Sequence, residues 1–182
     1  GKVKCNRISS TRARKRAISI IIDRCTKVSE VNIDRLNYLL SIAIEEAEIG
    51  WSEGGIPIGS VLELDGEIIA RGHNRRIQER SAILHAEMDC LERAGRLKPE
   101  EYRRCILVST LSPCDMCSGA SLLYKIPTII IGENSTFKGP EDYLRSRGVR
   151  LEVMESQRCI DMMKALIAER PNLWLEDIGE IA

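Results

Sequence analysis

The sequence of 182 residues lacks any apolar run near the roughly eighteen residues that a membrane-spanning helix requires. It also lacks the apolar stretch and cleavage site of a secretory signal, internal repeats and low-complexity tracts. Aromatic residues are only 4% of the chain, with one phenylalanine, and there are two histidines. Since 43% of residues are hydrophobic and 30% are charged, we nevertheless expect a globular domain with a real core, without a membrane partner.

The formal net charge is zero, but the charges are unevenly distributed. Residues 1–30 hold nine of the 27 Lys and Arg and two of the 27 Asp and Glu, so the other 152 residues carry 18 basic and 25 acidic side chains, a net charge of −7. Nucleic acid backbones bind to clustered cations, so this acidic body argues against a nucleic acid partner. We interpret residues 1–33 as a basic extension that is disordered, serves in targeting or derives from vector sequence, and residues 34–182 as the functional domain. We expect a cytoplasmic protein, with organelle or nuclear targeting left open by the extension.

The spacing of apolar residues predicts an α/β fold. Asp34 is a suitable N-cap for an amphipathic helix that ends at Gly50, and two apolar runs around Asp65-Gly66 predict a β-hairpin. Strand and helix signals then alternate: strands are predicted at 105–110, 128–132 and 149–154, and helices at 85–94 (with Ser81 as cap), 114–126, 141–147 and 156–169, the last ended by Pro171. A hairpin followed by this alternation implies one mixed sheet with helices on its faces.

Two cysteines three residues apart stand out in the segment LSPCDMCSGA (111–120). The seven cysteines are an odd number in a chain without export features, which argues against a disulfide framework. Taken alone, the spacing fits a redox pair, a metal site or plain packing. A second motif favours metal, because His85-Ala86-Glu87 precedes P-C-x-x-C by 26 residues, the layout known from zinc-dependent deaminases.

The chemistry of these residue types favours a catalytic zinc site. His85, Cys114 and Cys117 supply three ligands of a tetrahedral zinc and leave the fourth position for water. His85 and the two cysteines fall at the N-termini of two predicted helices, where peptide dipoles favour thiolate over thiol. Glu87 is too close in sequence to His85 to be an obvious fourth ligand, but it is well placed to move a proton of the bound water. A closed structural zinc site would need His73 or a distant cysteine, and neither has the local spacing, so we expect one catalytic Zn²⁺ per chain.

From Asp34 to Glu180 the sequence resembles the fungal-type cytosine deaminases of the cytidine deaminase superfamily. The matching segments are GGIPIG (54–59), RGHN (71–74), LHAE (84–87), GRL (95–97), TLSPCDMC (110–117), IPTIIIGEN (126–134), FKG (137–139) and ERPNLWLEDIGE (169–180). The metal motif marks the superfamily, whereas the C-terminal segment is specific for this branch. The resemblance implies a three-layer α/β/α sandwich with a mixed five-stranded sheet, a homodimer, and conversion of cytosine to uracil and ammonia in pyrimidine salvage.

The resemblance also implies roles in the reaction. Glu87 would protonate ring nitrogen N3 and then deliver a proton to the departing ammonia. The backbone carbonyl of Ser112 would accept from the exocyclic amine, and the backbone N–H of Cys114 would assist the reacting oxygen. Asn74 would donate its amide to the C2 carbonyl, helped by the backbone N–H of Ala86. Read without the resemblance, Asn74 could simply shape a turn.

By the same resemblance, Phe137 and Trp174 would stack on the base, and Ile58 would pack against it from another side. Asp177 would accept a hydrogen bond from N1–H of a free pyrimidine, which a nucleoside lacks, so a small free base is the expected partner. Each residue has an ordinary alternative. Phe137 can close the edge of the core, Trp174 can anchor packing, and Asp177 can pair with an arginine or lysine at the surface.

One residue departs from the fungal pattern, which has glycine between His and Glu where this chain has Ala86. The backbone N–H is retained, but the added methyl group could reshape the pocket. The sequence therefore leaves open other free bases and small cyclic amidines such as creatinine-like rings. A deaminase of nucleic acid bases is a further alternative, favoured only by the basic extension.

Overall fold

The structure is a computed structural model and describes residues 32–181. The described residues from Asn37 onward form one compact unit, which holds the sheet and the candidate site. The predicted basic extension, residues 1–33, lies outside the described residues except for its last two positions. Within the described residues, no helix combines the length and the hydropathy needed to cross a membrane.

Five strands form one mixed sheet in the order β2-β1-β3-β4-β5. They are β1 (Gly59–Leu64), β2 (Glu67–His73), β3 (Cys105–Leu111), β4 (Thr128–Glu133) and β5 (Arg150–Val153). Strand β1 is antiparallel to β2 and β3, while β3, β4 and β5 are parallel to one another. The predicted hairpin is confirmed: Asp65 and Gly66 have φ of 53° and 93°, the conformation that a tight two-residue hairpin turn requires.

Helices lie on both faces of the sheet. They are α1 (Ile33–Ser52), α2 (Ala86–Ala94), α3 (Pro99–Tyr102), α4 (Asp115–Tyr124), α5 (Glu141–Ser146), α6 (Gln157–Glu169) and α7 (Pro171–Asp177). Helix α1 crosses β1 so closely that a Cβ on Gly59 would lie 1.9 Å from the Ala43 carbonyl oxygen. On the opposite face, a Cβ on Gly72 would lie 2.6 Å from the Cys90 nitrogen of α2. The predicted α/β fold with a mixed five-stranded sheet between helices is confirmed.

Several helix boundaries differ from the sequence-based expectation. Helix α1 begins at Ile33, where the Asn32 side chain accepts from the N–H of Asp34 at 3.0 Å, so Asn32 rather than Asp34 caps it. The helix also continues for two residues beyond Gly50. Ser81 caps no helix, because its hydroxyl accepts from the N–H groups of residues 83 and 84 in a turn.

The end of the chain contains a helix that the sequence pattern does not predict. Pro171 follows the end of α6 as expected, but it is also the first residue of α7. Proline suits this position, because the first N–H groups of a helix have no partner within it. Helix α7 matters for the site because it carries Trp174 and Asp177 of the ERPNLWLEDIGE segment.

Candidate active site

Loops at one edge of the sheet bring the predicted site residues together. The parallel strands β3 and β4 end there, and the antiparallel pairing places the start of β1 and the end of β2 at the same edge. Ile58 precedes β1, Asn74 follows β2, Ser112 follows β3 and Phe137 lies in the loop after β4. Carboxyl ends of strands in α/β sheets are the usual position of ligand sites.

His85 and the two cysteines form a compact cluster at two helix starts. His85 is the N-cap of α2, Cys114 is the N-cap of α4, and Cys117 lies in the first turn of α4. His85 Nδ1 is 3.5 Å from Cys114 Sγ, which is 3.7 Å from Cys117 Sγ, and the three ligand atoms lie within 4.8 Å of one another. It is the one such group found in the described part of the chain.

The spacing of this cluster fits a zinc ion. With the usual bond lengths, a tetrahedral zinc separates two sulfur ligands by about 3.8 Å and a sulfur from a nitrogen ligand by about 3.6 Å. The observed distances, 3.7 Å and 3.5 Å, agree with these values. Among the abundant divalent metals, zinc is the one that a set of two thiols and an imidazole suits best.

The protonation of the two thiols is unequal. The hydrogen bond from Cys117 lowers the pKa of the Cys114 thiol to about 4, and the His85 side chain acts in the same direction against the effect of burial. The neighbouring Cys114 and burial raise the pKa of Cys117 well above its ordinary value. Because metals bind thiolates, binding at this cluster has to release the Cys117 proton.

Glu87 lies in the first turn of α2, two residues after His85, and is only 4% exposed. The Ser109 hydroxyl donates a hydrogen bond of 2.9 Å to its Oε1. Burial, assisted by the charge of Cys114, raises the pKa of the Glu87 carboxyl above its ordinary value, and the Ser109 bond only partly opposes this shift. A raised pKa lets a carboxyl group hold a proton more readily than an ordinary glutamate, as a group that accepts and returns protons requires.

Asn74 and Asp177 meet in the interior although they lie 103 residues apart. The Asn74 Nδ2 donates to Asp177 Oδ1 at 3.0 Å, and the Asn74 Oδ1 accepts from the backbone N–H of Arg76 at 3.1 Å. Asn74 therefore shapes a turn and also bonds the Asp177 carboxylate. The Asp177 side chain is 2% exposed and pairs with Arg76 Nη1 at 3.1 Å, so it does pair with an arginine, but in the interior. His85 Nε2 lies 3.6 Å from the same carboxylate oxygen.

Apolar side chains form the walls of a small cavity beside the cluster. The rings of Phe137 and Trp174 are in edge-to-face contact, with centroids 5.7 Å apart and planes at 85°. The full lining consists of Ile58, His85, Glu87, Leu111, Ser112, Cys114, Phe137, Trp174, Asp177 and Ile178. Thus eight of the ten lining residues are ones to which the sequence assigned a role, and Asn74 reaches the cavity through Asp177.

The loop that carries Phe137 is held by a buried acid. The Ser112 hydroxyl donates to Glu141 Oε1 at 2.9 Å and accepts from the N–H of Gly139 at 3.1 Å. Asn134 Nδ2 also donates to Glu141, at 3.0 Å. Burial acts to raise the pKa of Glu141. The hydrogen bonds from Asn134 and Ser112 and the Arg145 guanidinium nevertheless hold this pKa below its ordinary value.

Ala86, where the chain departs from the fungal pattern, is fully buried and does not belong to the cavity lining. It lies in an apolar cluster whose buried members are Ile56, Ile58, Ala86, Leu111, Met163, Leu166 and Trp174. The methyl group therefore contributes to the packing around the site, beside the cavity walls Ile58 and Trp174.

The sequence pattern missed four residues at the site. Ser109 and Leu111 lie in a strand whose pattern indicates only burial, and Ile178 directly follows Asp177. Arg76, two residues after Asn74, carries no signal that would separate it from the other arginines of its loop. Only the long-range contact with α7 reveals its position.

Comparison with known proteins agrees with this geometry. The profile of the family described as "Cytidine and deoxycytidylate deaminase zinc-binding region" matches residues 33–133. A cytosine deaminase from Candida albicans is 49% identical over 142 residues, which cover 78% of this chain and 95% of that protein. A tRNA-specific adenosine deaminase from Streptococcus pyogenes is 39% identical over 114 residues, 62% of this chain and 72% of that protein.

Among solved structures, a tRNA:A34 deaminase that edits adenosine at the wobble position superposes with a TM-score of 0.59 at 24% identity. The match covers 69% of this chain and 99% of that one. At this identity the likeness shows a common fold, with the same arrangement of sheet and helices.

Proposed function

The chain belongs to the cytidine and deoxycytidylate deaminase zinc-binding family, and from this membership we propose that it hydrolyses the free base cytosine to uracil and ammonia. As a member of the family it is a zinc-dependent deaminase. The single observation that carries the choice of a free base is the buried Asn74–Asp177 pair, which borders the same small cavity as Glu87. The Candida albicans relative, whose similarity covers 95% of that protein, is a cytosine deaminase, which supports the same substrate.

His85, Cys114 and Cys117 would hold the zinc ion, a role that their mutual distances support. When bound, zinc supplies a Lewis acid and lowers the pKa of water at its open position towards neutrality. The helix starts at His85 and Cys114 contribute their N-terminal dipoles, which favour the anionic form of the thiol ligands.

Glu87 is proposed to move the protons of the reaction. It would take a proton from the attacking water and give it to N3 while a C–O bond forms at C4. It would then take the second proton from the oxygen now bonded to C4 and pass it to the exocyclic nitrogen, so that the C4 carbonyl forms, the C4–N bond breaks and ammonia leaves. The raised pKa of its carboxyl and the orienting bond from Ser109 support this role.

Asp177 and Asn74 are proposed to read the edge of the base that carries N1 and the C2 carbonyl. Among the described residues, the hydrogen bonds made to Asp177 fall on Oδ1, which leaves Oδ2 to accept from N1–H. The Asn74 amide and the backbone N–H of Ala86 would donate to the C2 carbonyl. A nucleoside has a sugar at N1, so it would leave the Asp177 carboxylate buried without this partner, at a cost of about 1–3 kcal/mol or more.

The remaining contacts would hold the ring and the amine. Phe137, Trp174 and Ile58 offer apolar faces to a single planar ring, and their contact supports this role. The carbonyl of Ser112 would accept from the exocyclic amine, and the N–H of Cys114 would assist the reacting oxygen. Each role follows the position of the residue at the cavity.

A homodimer is also proposed. Leu123 and Tyr124, at the end of α4, are 72% and 40% exposed. They border an open groove between α2, α3 and α4 that also contains Leu91, Leu97 and Met88. Charged residues also line this groove, among them Glu92, Arg96 and Lys98. Exposed apolar side chains within such a mixed surface fit a second copy of the chain. Sedimentation of the wild type and of a Leu123→Lys variant tests this: we expect a dimer that the substitution dissociates, and a monomeric wild type would contradict it.

Participation in pyrimidine salvage, a cytoplasmic location and the separate nature of residues 1–33 stay predictions from the sequence. Deletion of residues 1–33 addresses the last of them. We expect the truncated protein to keep its activity on free bases, whereas loss of that activity would contradict the proposed domain boundary.

The direct test of the proposed function is ammonia release by the purified, zinc-loaded protein on cytosine, cytidine, adenine, guanine and creatinine. We expect turnover of cytosine and none of cytidine. Turnover of another ring in place of cytosine would contradict the substrate while keeping the chemistry. Silence on all five would direct attention to nucleic acid bases, the alternative that the basic extension favours.

A further inference from the structure

His73, the histidine outside the metal cluster, is buried between two carboxylates. Its side chain is 6% exposed, with Nδ1 at 3.0 Å from Glu46 Oε2 and Nε2 at 3.1 Å from Glu53 Oε2. A neutral imidazole has one N–H and one lone pair, so it could donate at only one of these contacts. At the other, a lone pair would face a carboxylate oxygen. With both carboxylates ionised, both contacts are hydrogen bonds when the ring is the positively charged imidazolium.

The surrounding chain makes room for this arrangement. A Cβ on Gly50 would lie 3.1 Å from His73 Cδ2, so the absence of a side chain there lets the ring lie against α1. A Cβ on Gly55 would lie 2.5 Å from Gln78 Nε2, which donates to Glu53 Oε2 at 3.1 Å. Gly50 thus leaves room for the His73 ring and Gly55 for the Gln78 amide. Both groups contact the Glu53 carboxylate.

The charges around the ring come from four segments. Glu46 lies in α1 and Glu53 just after it. Arg71 of β2 donates through Nε to Glu46 Oε1 at 2.8 Å, and Asp89 of α2 accepts from the backbone N–H of His73 at 3.2 Å. The Gln78 hydrogen bond and the His73 ring lower the pKa of the Glu53 carboxyl below its ordinary value. The positive charge of Arg75, in the loop after β2, also lowers the pKa of Glu53.

The clamp formed by Glu46, His73 and Glu53 lies next to the site, because His73 directly precedes Asn74 in the sequence. The N–H of Asn74 donates to the Ile58 carbonyl at 2.9 Å, and its side chain bonds Asp177. Gln78, held by Glu53, lies in the segment that leads to His85. Any shift of the end of β2 relative to α1 would therefore move the amide of Asn74 and the Asp177 carboxylate that it bonds.

We propose that His73, as an imidazolium held between Glu46 and Glu53, is a positioning residue that fixes Asn74 for the C2 carbonyl of the base. The kinetic part of this inference rests on the proposed function, whereas the charge state of the ring does not. The two parts are therefore tested separately.

The charge state is read by long-range ¹H–¹⁵N correlation spectra of the zinc-loaded protein at pH 7. The chain has only two histidines, so a His73→Gln variant assigns both ring patterns. We expect protons on both ring nitrogens of His73 in the wild type. A single protonated ring nitrogen would overturn the proposal, whatever the enzyme's substrate.

The positioning role is tested with Glu53→Gln, which keeps an acceptor but removes the charge. Glu48→Gln is the matched control, since the two glutamate side chains are 45% and 46% exposed and Glu48 pairs with Arg158 away from the ring. We expect Glu53→Gln to raise the KM for cytosine roughly three- to tenfold with kcat and zinc content little changed, as for mutations that act through a neighbour. The control should leave KM unchanged. An unchanged KM in Glu53→Gln, or the same rise in both variants, would overturn the positioning role.

Discussion

The metal side of the site and its proposed base-recognition side are built in different ways. The metal side uses His85, Cys114 and Cys117, whose side chains are presented by two adjacent helix starts. The recognition side joins Asn74 at the end of β2 to Asp177 on α7, across 103 residues of sequence. The first can therefore be recognised from short motifs, whereas the second exists only once the chain has folded. In the proposed function, the first group of residues performs the chemistry and the second selects the substrate.

The largest effect is expected from breaking the metal side. Replacing Cys117 with serine removes a buried thiolate, so we expect loss of bound zinc and of all measurable ammonia release. Zinc content by atomic absorption checks this, together with activity before and after zinc is added back to chelator-treated wild type. Full activity in a zinc-free Cys117→Ser protein would show that the cluster is not the catalytic centre.

Glu87→Gln should leave the metal side intact while stopping the proton transfers. Because general acid–base catalysis contributes roughly 10²- to 10⁴-fold, we expect kcat for cytosine to fall by that factor. Zinc content should equal that of the wild type, which distinguishes this variant from Cys117→Ser. Wild-type turnover in Glu87→Gln would contradict the proposed shuttle.

How far each side could be predicted follows from where its residues lie in sequence. The His-Ala-Glu and Pro-Cys-x-x-Cys motifs indicate the ligands and Glu87. The strand pattern predicts the hairpin around Asp65-Gly66 and the bounds of β3, β4 and β5 to within one residue. Ser109 and Arg76 give no such signal, because their roles depend on contacts with Glu87 and Asp177 that form between distant segments. Helix α7 was not predicted, since Pro171 was interpreted only as the end of α6.

On the recognition side, Phe137→Ala should weaken substrate binding without affecting zinc. Stacking on an aromatic ring is worth about 1–3 kcal/mol per base, so a KM increase of roughly five- to 150-fold is expected. Tyr143→Ala is a suitable control, because Tyr143 is 52% exposed and does not line the cavity. Equal kinetics for Phe137→Ala and the wild type would limit Phe137 to packing against Trp174.

The smallest effect concerns the acid that holds the Phe137 loop. The folded-state pKa of Glu141 lies below its ordinary value of 4.5, so its contribution to stability is present above that value and is lost as the pH falls through the lowered pKa. We therefore expect Glu141→Gln to lower the free energy of unfolding at pH 7 and to differ less from the wild type at pH 3.5. Urea denaturation of the zinc-free proteins measures both, and an equal difference at the two pH values would contradict this account.

The most direct test of the central claim compares cytosine with 1-methylcytosine, which carries a methyl group in place of the hydrogen on N1. A site built to bond an N–H group rejects an analogue without it by as much as about 10⁴-fold. We predict a large ratio of kcat/KM values in the wild type and a much smaller ratio in Asp177→Ala, with zinc content unchanged. Equal kcat/KM values for the two bases in the wild type would show that Asp177 does not read N1–H, and would contradict selection of the free base by the recognition side.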